Sequence, residues 1–135
     1  MIKSKLLLCA DKAIRDADGG NLSIINILDD ISAESFPVLI HRFSIINFLI
    51  KETAEDPDKP SIRLKVYNNE KVIGDHQIKI DFRGKLKTRS IIQLGGVPLT
   101  EPGQAHFVIT DSDGIEMDRY TINLHLRQEV TIQSE

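Results

Sequence analysis

Along most of the chain apolar residues recur every second position, the period of strands and not of helices. Ile62, Leu64 and Val66 alternate with Arg63, Lys65 and Tyr67, so one face is apolar and the other polar. After the turn signal Asn68-Asn69-Glu70-Lys71, Ile78 and Ile80 point inward against Gln77, Lys79 and Asp81. Ala105, Phe107 and Ile109 alternate with His106, Val108 and Thr110. The turn Asp111-Ser112-Asp113-Gly114 follows, where Asp and Gly tolerate positive φ. In the final segment Tyr120, Ile122, Leu124 and Leu126 oppose Thr121, Asn123, His125 and Arg127.

Two segments depart from the one-sided pattern. Leu6-Leu7-Leu8-Cys9 is continuously apolar, and Phe43, Ile45 and Leu49 alternate with Ile46, Phe48 and Ile50. Strands of that kind are buried on both faces. Between them, Asp16-Ala17-Asp18-Gly19-Gly20-Asn21 is a dense turn signal, followed by a β-branched run from Leu22 to Ile31 with a bend at Asp29-Asp30. Phe36-Pro37 ends that element, because proline lacks a ladder donor. Phe82 to Lys87 is a basic turn around Gly84, and Ser90 to Leu94 a short strand. The pattern predicts an all-β fold, an antiparallel β-sandwich of about eight strands, Ig-like or C2-like. One domain is expected over 1–127, with 128–135 as a frayed tail unless Val130 and Ile132 extend the last strand.

Composition narrows the function classes. The 135 residues are 41% hydrophobic and 27% charged, which excludes a disordered chain. Only 5% are aromatic, so the core rests on Ile, Leu and Val. The net charge of −3 argues against nucleic-acid binding, which needs a basic footprint. No apolar run approaches a membrane span, and the three leucines before Cys9 are too few for a signal sequence. A cytoplasmic location is expected.

The opening residues carry a resemblance. Leu8-Cys9-Ala10-Asp11, then Gly20-Asn21-Leu22-Ser23-Ile24-Ile25-Asn26-Ile27, Phe36-Pro37 and Arg42-Phe43 resemble a group of small uncharacterised bacterial proteins. Asn26 or Ile27 stands where that group has a glycine, and Ala10 separates Cys9 from Asp11. The resemblance implies a single β-sandwich domain without an assigned activity.

Candidate chemistry is sparse. Cys9 lies within an apolar strand, where cysteine is usually a buried hydrophobe and no nucleophile. No nucleophile elbow, phosphate loop or dinucleotide motif occurs. His41, His76, His106 and His125 lack zinc-ligand spacing, although His76 and His106 could meet across a sheet. No catalytic residue is expected. Three connections each hold an Asp-x-Asp: Asp16 and Asp18, Asp56 and Asp58, Asp111 and Asp113. If these connections share one end of the sandwich, their carboxylates offer a calcium-dependent binding site. Asp is equally a turn residue, and Arg83, Lys85, Lys87 and Arg89 at the same end would neutralise the acids. Phe36, Val38, Leu39, Ile40 and Arg42 either cap the open end of the sandwich or, if exposed, bind a partner. The long last strand offers an edge for pairing. The leading expectation is a non-catalytic module acting through protein contacts with a partner or in a homodimer, without cofactor. The alternative is calcium-dependent binding through the acidic loops.

Overall fold

A computed structural model describes residues 1–17 and 20–127. These residues form eleven strands: β1 (Ile2–Arg15), β2 (Leu22–Ile27), β3 (Asp30–Ala33), β4 (Val38–Ile40), β5 (Phe43–Lys51), β6 (Ser61–Asn68), β7 (Lys71–Lys79), β8 (Lys87–Leu94), β9 (Val97–Leu99), β10 (Gly103–Thr110) and β11 (Glu116–Leu126). Two sheets form the sandwich, in strand orders β2-β1-β5-β8 and β3-β11-β10-β6-β7, and β4 pairs with β9 in a small ribbon. The all-β sandwich matches the expectation from period. The eight strands of six or more residues are the predicted eight. The others, β3, β4 and β9, have three or four residues each, too few to display a period.

One pairing departs from the antiparallel expectation: β3 runs parallel to β11, from Asp30 opposite Asn123 to Ala33 opposite Leu126. The cause is a change of sheet. After β2 the chain crosses at Leu28 and Asp29 to the other sheet, where Asn123 N–H donates to Asp29 O (2.9 Å). Tyr120 Oη–H donates to Leu28 O (2.8 Å), tying the crossing to β11.

The main core lies between the sheets, with Leu7, Cys9, Phe43, Ile45 and Leu49 on one side and Leu64, Val66, Phe107, Ile109 and Ile122 on the other. Phe43 meets Phe107 edge to face, with centroids 5.7 Å apart. A second cluster sits outside the first sheet: Leu8, Ala10 and Ile46 are buried there, with Leu6, Ala13, Leu22, Ile24 and Phe48 packed around them.

The second cluster explains the two-sided strands. β1 pairs with β5 only as far as Ala10 opposite Ser44, and beyond that point it pairs with β2 alone. Ala13, Leu22 and Ile24 of this hairpin nevertheless pack against the cluster of Leu8, Ala10 and Ile46. The hairpin therefore folds back over the outer face of its own sheet. Within the hairpin Asn26 takes a φ of 55°, between the pairs Ala10–Ile27 and Lys12–Ile25, and its side-chain amide donates to Asp11 Oδ2 (3.0 Å). At the hairpin tip, the Arg89 guanidinium of β8 donates to Gly20 O.

One end of the sandwich is closed by the β4–β9 ribbon. Beside it, Asn68 Oδ1 accepts from Thr100 N–H (2.9 Å) and Glu101 N–H (3.0 Å). Asn69 takes a φ of 55° and its Oδ1 accepts from Gln104 N–H (2.9 Å). Gly103 is required there, since a Cβ would collide with Asn69 Oδ1.

Candidate functional site

The opposite end carries the acidic connections, and their carboxylates work separately. Asp56 accepts from the Met1 amino group (2.7 Å), Glu52 N–H (2.9 Å) and Thr53 N–H (3.1 Å). The hydrogen bond from the amino group, aided by Thr53, holds Asp56 below the usual carboxylate range. Asp58 pairs with Lys51 and accepts from Gly84 N–H (2.9 Å), and the Lys51 bond lowers its pKa. The Lys51 side chain is 3% exposed, and its ammonium stands 5.1 Å from the Phe82 ring centroid. Asp111 Oδ1 accepts from Asp113 and Ile115 N–H (2.9 Å each), closing its own turn. Asp18 lies outside the described residues. Asp16 stands at a hairpin that leaves β5 past Ala10 and folds back over the sheet, so its connection does not join the others at the end. Among the described residues, no three His, Cys, Asp or Glu side chains are grouped to hold a metal ion. The expected convergence of Asp16, Asp56, Asp58, Asp111 and Asp113 is thus corrected: among the described residues they form no common cluster, and the carboxylates of Asp56, Asp58 and Asp111 are engaged by turn backbone and single cations.

The loop around Phe36 also resolves. Phe36, Val38 and Ile40 pack against the main core, while Leu39 is 48% exposed. Alternation along β4, opposite β9, accounts for the split. Arg42 donates to Gln93 Oε1 (2.6 Å). The candidates Phe36, Val38, Leu39, Ile40 and Arg42 therefore form no continuous exposed patch; the segment caps the sandwich.

Cys9 is fully buried, and desolvation pushes its thiol pKa well above the ordinary value, which leaves it an unactivated thiol. His106 bonds Thr121 Oγ1 (2.8 Å) and His125 bonds Asp30 Oδ1 (2.9 Å), so each histidine has a local partner. His106 and His76 flank β6 on different strands, opposite Tyr67 and Leu64 respectively, and do not come together.

The feature that does converge is basic. A groove of about 1040 Å³ runs from the outer face of the first sheet, beside the folded-back hairpin, around β8 to the end of β7 and the β7–β8 turn. Lys5, Arg15, Lys79, Arg83, Lys85, Lys87 and Arg89 line it, against one acid, Asp81. That is seven of the chain's 17 cations. Among the described residues none of the seven forms a salt bridge. Asp81 Oδ1 is engaged by Arg83 N–H (2.9 Å), which shapes the β7–β8 turn with Arg83 and Gly84 at positive φ. Arg89 stands opposite Phe48, Lys87 opposite Ile50 and Ile91 opposite Ile46, so these side chains share the outer face. The floor is therefore apolar, from Phe48, Ile50 and Ile91, under a cationic rim.

Sequence reading found the 83–89 cluster and missed Lys5, Arg15 and Lys79 as its companions. The available signal was the two-sided apolar pattern of β5, which required a covering layer. Only the hairpin's fold-back brings Arg15 from beyond the end of β5 to the side of Arg89.

Solved structures similar to the chain include an immunoglobulin-like protein from Pseudomonas aeruginosa, with TM-score 0.46 and 7% identity over 93% of this chain and 97% of that one. A β-glucosidase from Listeria innocua, in complex with isofagomine, has TM-score 0.46 and 7% identity over 90% of this chain and 16% of its own. The CARDB domain of a Pyrococcus furiosus protein, in complex with di-metal ions, has TM-score 0.40 and 12% identity over 90% and 94%. At these identities the likeness says nothing of chemistry or partners. No curated protein matches the chain. The family of unknown function DUF6941 matches residues 5–125, and the chain belongs to that family.

Proposed function

We propose that the chain is a non-catalytic β-sandwich module that binds an anionic partner protein in the basic groove. The observation that carries this reading is the gathering of seven cations, unpaired among the described residues, from β1, β7, the β7–β8 turn and β8. Bringing like charges together is unfavourable for the isolated fold, and a partner of opposite charge relieves it. The surrounding chain is acidic on balance, at −3, so the groove is a local field that steers an acidic surface to one place.

The apolar floor supplies contact area that the charged rim does not, as in interfaces with an apolar centre and a polar border. A protein ligand suits this groove better than a nucleic acid. Its two aromatic rings are a half-buried Phe48 and a buried Phe82, which leaves little for base stacking. A non-enzymatic role is supported by the burial of Cys9 and by the local engagement of His106 and His125.

Fluorescence anisotropy with a labelled peptide of alternating Glu and Val tests this reading. The double variant Lys85→Glu, Lys87→Glu should weaken binding at least about tenfold, and raising salt beyond physiological strength should weaken wild-type binding, since exposed charges are screened within about 8–10 Å. Equal binding of a Gln-Val peptide, or no effect of the double variant, would contradict it.

A further inference from the structure

The floor of the groove ends at an unpaired sheet edge. β8 is the last strand of its sheet and pairs with β5 alone. Among the described residues no second strand pairs with it. At its start, Lys51 N–H donates to Leu86 O (2.8 Å), which makes Lys51 and Leu86 a hydrogen-bonded pair. In an antiparallel ladder such pairs alternate with pairs whose backbone groups point outward. The register runs without a shift from Ile50–Lys87 to Phe43–Leu94. It follows that the N–H and C=O groups of Lys87, Arg89, Ile91 and Gln93 face away from β5.

Natural edge strands are commonly blunted by proline, by bulges or by a covering element. β8 has no proline and no bulge, and Lys87 and Arg89 are the charges on its groove face. Those charges repel another basic edge, a second β8 included, and attract an acidic one. The free backbone groups and the cationic rim thus lie on the same strand, at the same residues.

We infer that the groove takes its partner as an extended acidic segment that adds to β8 as a fifth strand of the sheet. This rests on the groove being the binding surface and specifies how it binds. Main-chain bonds to Lys87, Arg89 and Ile91 supply the pairing. Acidic side chains at alternate positions meet the cationic rim on the outer face, with Lys85 and Lys87 nearest the turn, and the intervening apolar ones take the opposite face of the added strand, on the side of the groove lined by Ile80 and Phe82. An acidic partner lacking an extended segment gains the charge term and loses the ladder.

The test uses the Glu-Val peptide beside a fully N-methylated version, which keeps every side chain and charge but donates no main-chain hydrogen bond. The N-methylated peptide should bind at least about tenfold more weakly to the full chain. Ile91→Pro should cause a similar loss: the Ile91 N–H faces away from β5, so proline leaves the internal ladder intact while blocking the edge. Circular dichroism checks that this variant folds; if it does not, the peptide comparison on the native chain decides alone. If both peptides bind equally while Lys85→Glu, Lys87→Glu still weakens them, strand addition is wrong and the groove reading stands. If neither peptide binds, or charge reversal has no effect, the groove reading itself fails. Tighter binding of a charge-matched single-stranded oligonucleotide than of the acidic peptide would overturn both.

Discussion

The outer faces of the two sheets follow different rules. On the second sheet the outward positions of β6, β7, β10 and β11 include Arg63, Lys65, Asp75, Gln77, Gln104, Arg119 and Asn123, facing solvent as a one-sided sheet should. Arg63 and Asp75 pair across two strands there at 3.0 Å, a surface bridge of small net worth. On the first sheet the outward positions include the apolar Leu6, Leu8, Ala10, Ile46, Phe48, Ile50 and Ile91 beside the charged Lys87 and Arg89. Leu8, Ala10 and Ile46 are covered by the sheet's own hairpin, and Phe48, Ile50 and Ile91 line the basic groove. An apolar outer face in a sandwich is thus a demand for a third layer. The chain supplies part of that layer, and in our account a partner supplies the rest.

The sharpest way to break the comparison is to cut a side chain from each outer face. Ile46→Ala, under the hairpin at 0% exposure, should cost about 2–5 kcal/mol in denaturant unfolding. Lys65→Ala, outward on the second sheet, should stay within about 0.5 kcal/mol. Similar costs at the two sites would mean that the hairpin does not bury the first sheet. Next in size is the tie that carries the chain between sheets. Tyr120→Phe removes the bond to Leu28 O and should cost about 0.5–1.5 kcal/mol. Ile24→Ala, half-buried on the hairpin itself, should cost about 1 kcal/mol, roughly half of a full burial.

Acid should separate the regions by pH. Burial holds His106, on the second sheet, below its ordinary 6.5; Arg119 adds to the effect and Glu116 opposes it. The unfolded chain therefore binds the proton first, so stability should fall as pH drops through about 6.5 toward the folded pKa, and His106→Gln should flatten that slope. Asp56 and Asp58 have depressed values. Their stabilisation is full above the unfolded carboxylate range near 3.9 and is lost as pH falls through their folded pKa values. Unfolding curves followed across that range should show two separate losses. The smallest stability effect is expected in the groove: Lys85→Glu with Lys87→Glu should leave the unfolding midpoint nearly unchanged, within about 0.5 kcal/mol, because both side chains are exposed.

The same contrast sets how much was legible in the sequence. β6, β10 and β11 alternate cleanly, so their inward residues, from Ile62 to Leu124, could be named in advance. Ile46 and Phe48 also announced that β5 is covered on both sides. What covers them could not be read, because the direction in which the β1–β2 hairpin leaves the sheet is not encoded in the spacing of its side chains. The acidic pairs misled for a related reason. Asp56 and Asp111 sit in their turns as backbone acceptors, a local use that composition cannot distinguish from metal ligation. The parallel β3–β11 pair followed from a change of sheet inside two residues, below the resolution of any period.

Amide hydrogen exchange on the intact chain, with and without the Glu-Val peptide, tests the central claim most directly. The free edge of β8 predicts fast exchange at Lys87, Arg89, Ile91 and Gln93 in the unbound protein, with marked slowing at those amides when the peptide is present. Protection that appears instead along β2 or β7, or no protection anywhere at saturating peptide, would contradict it.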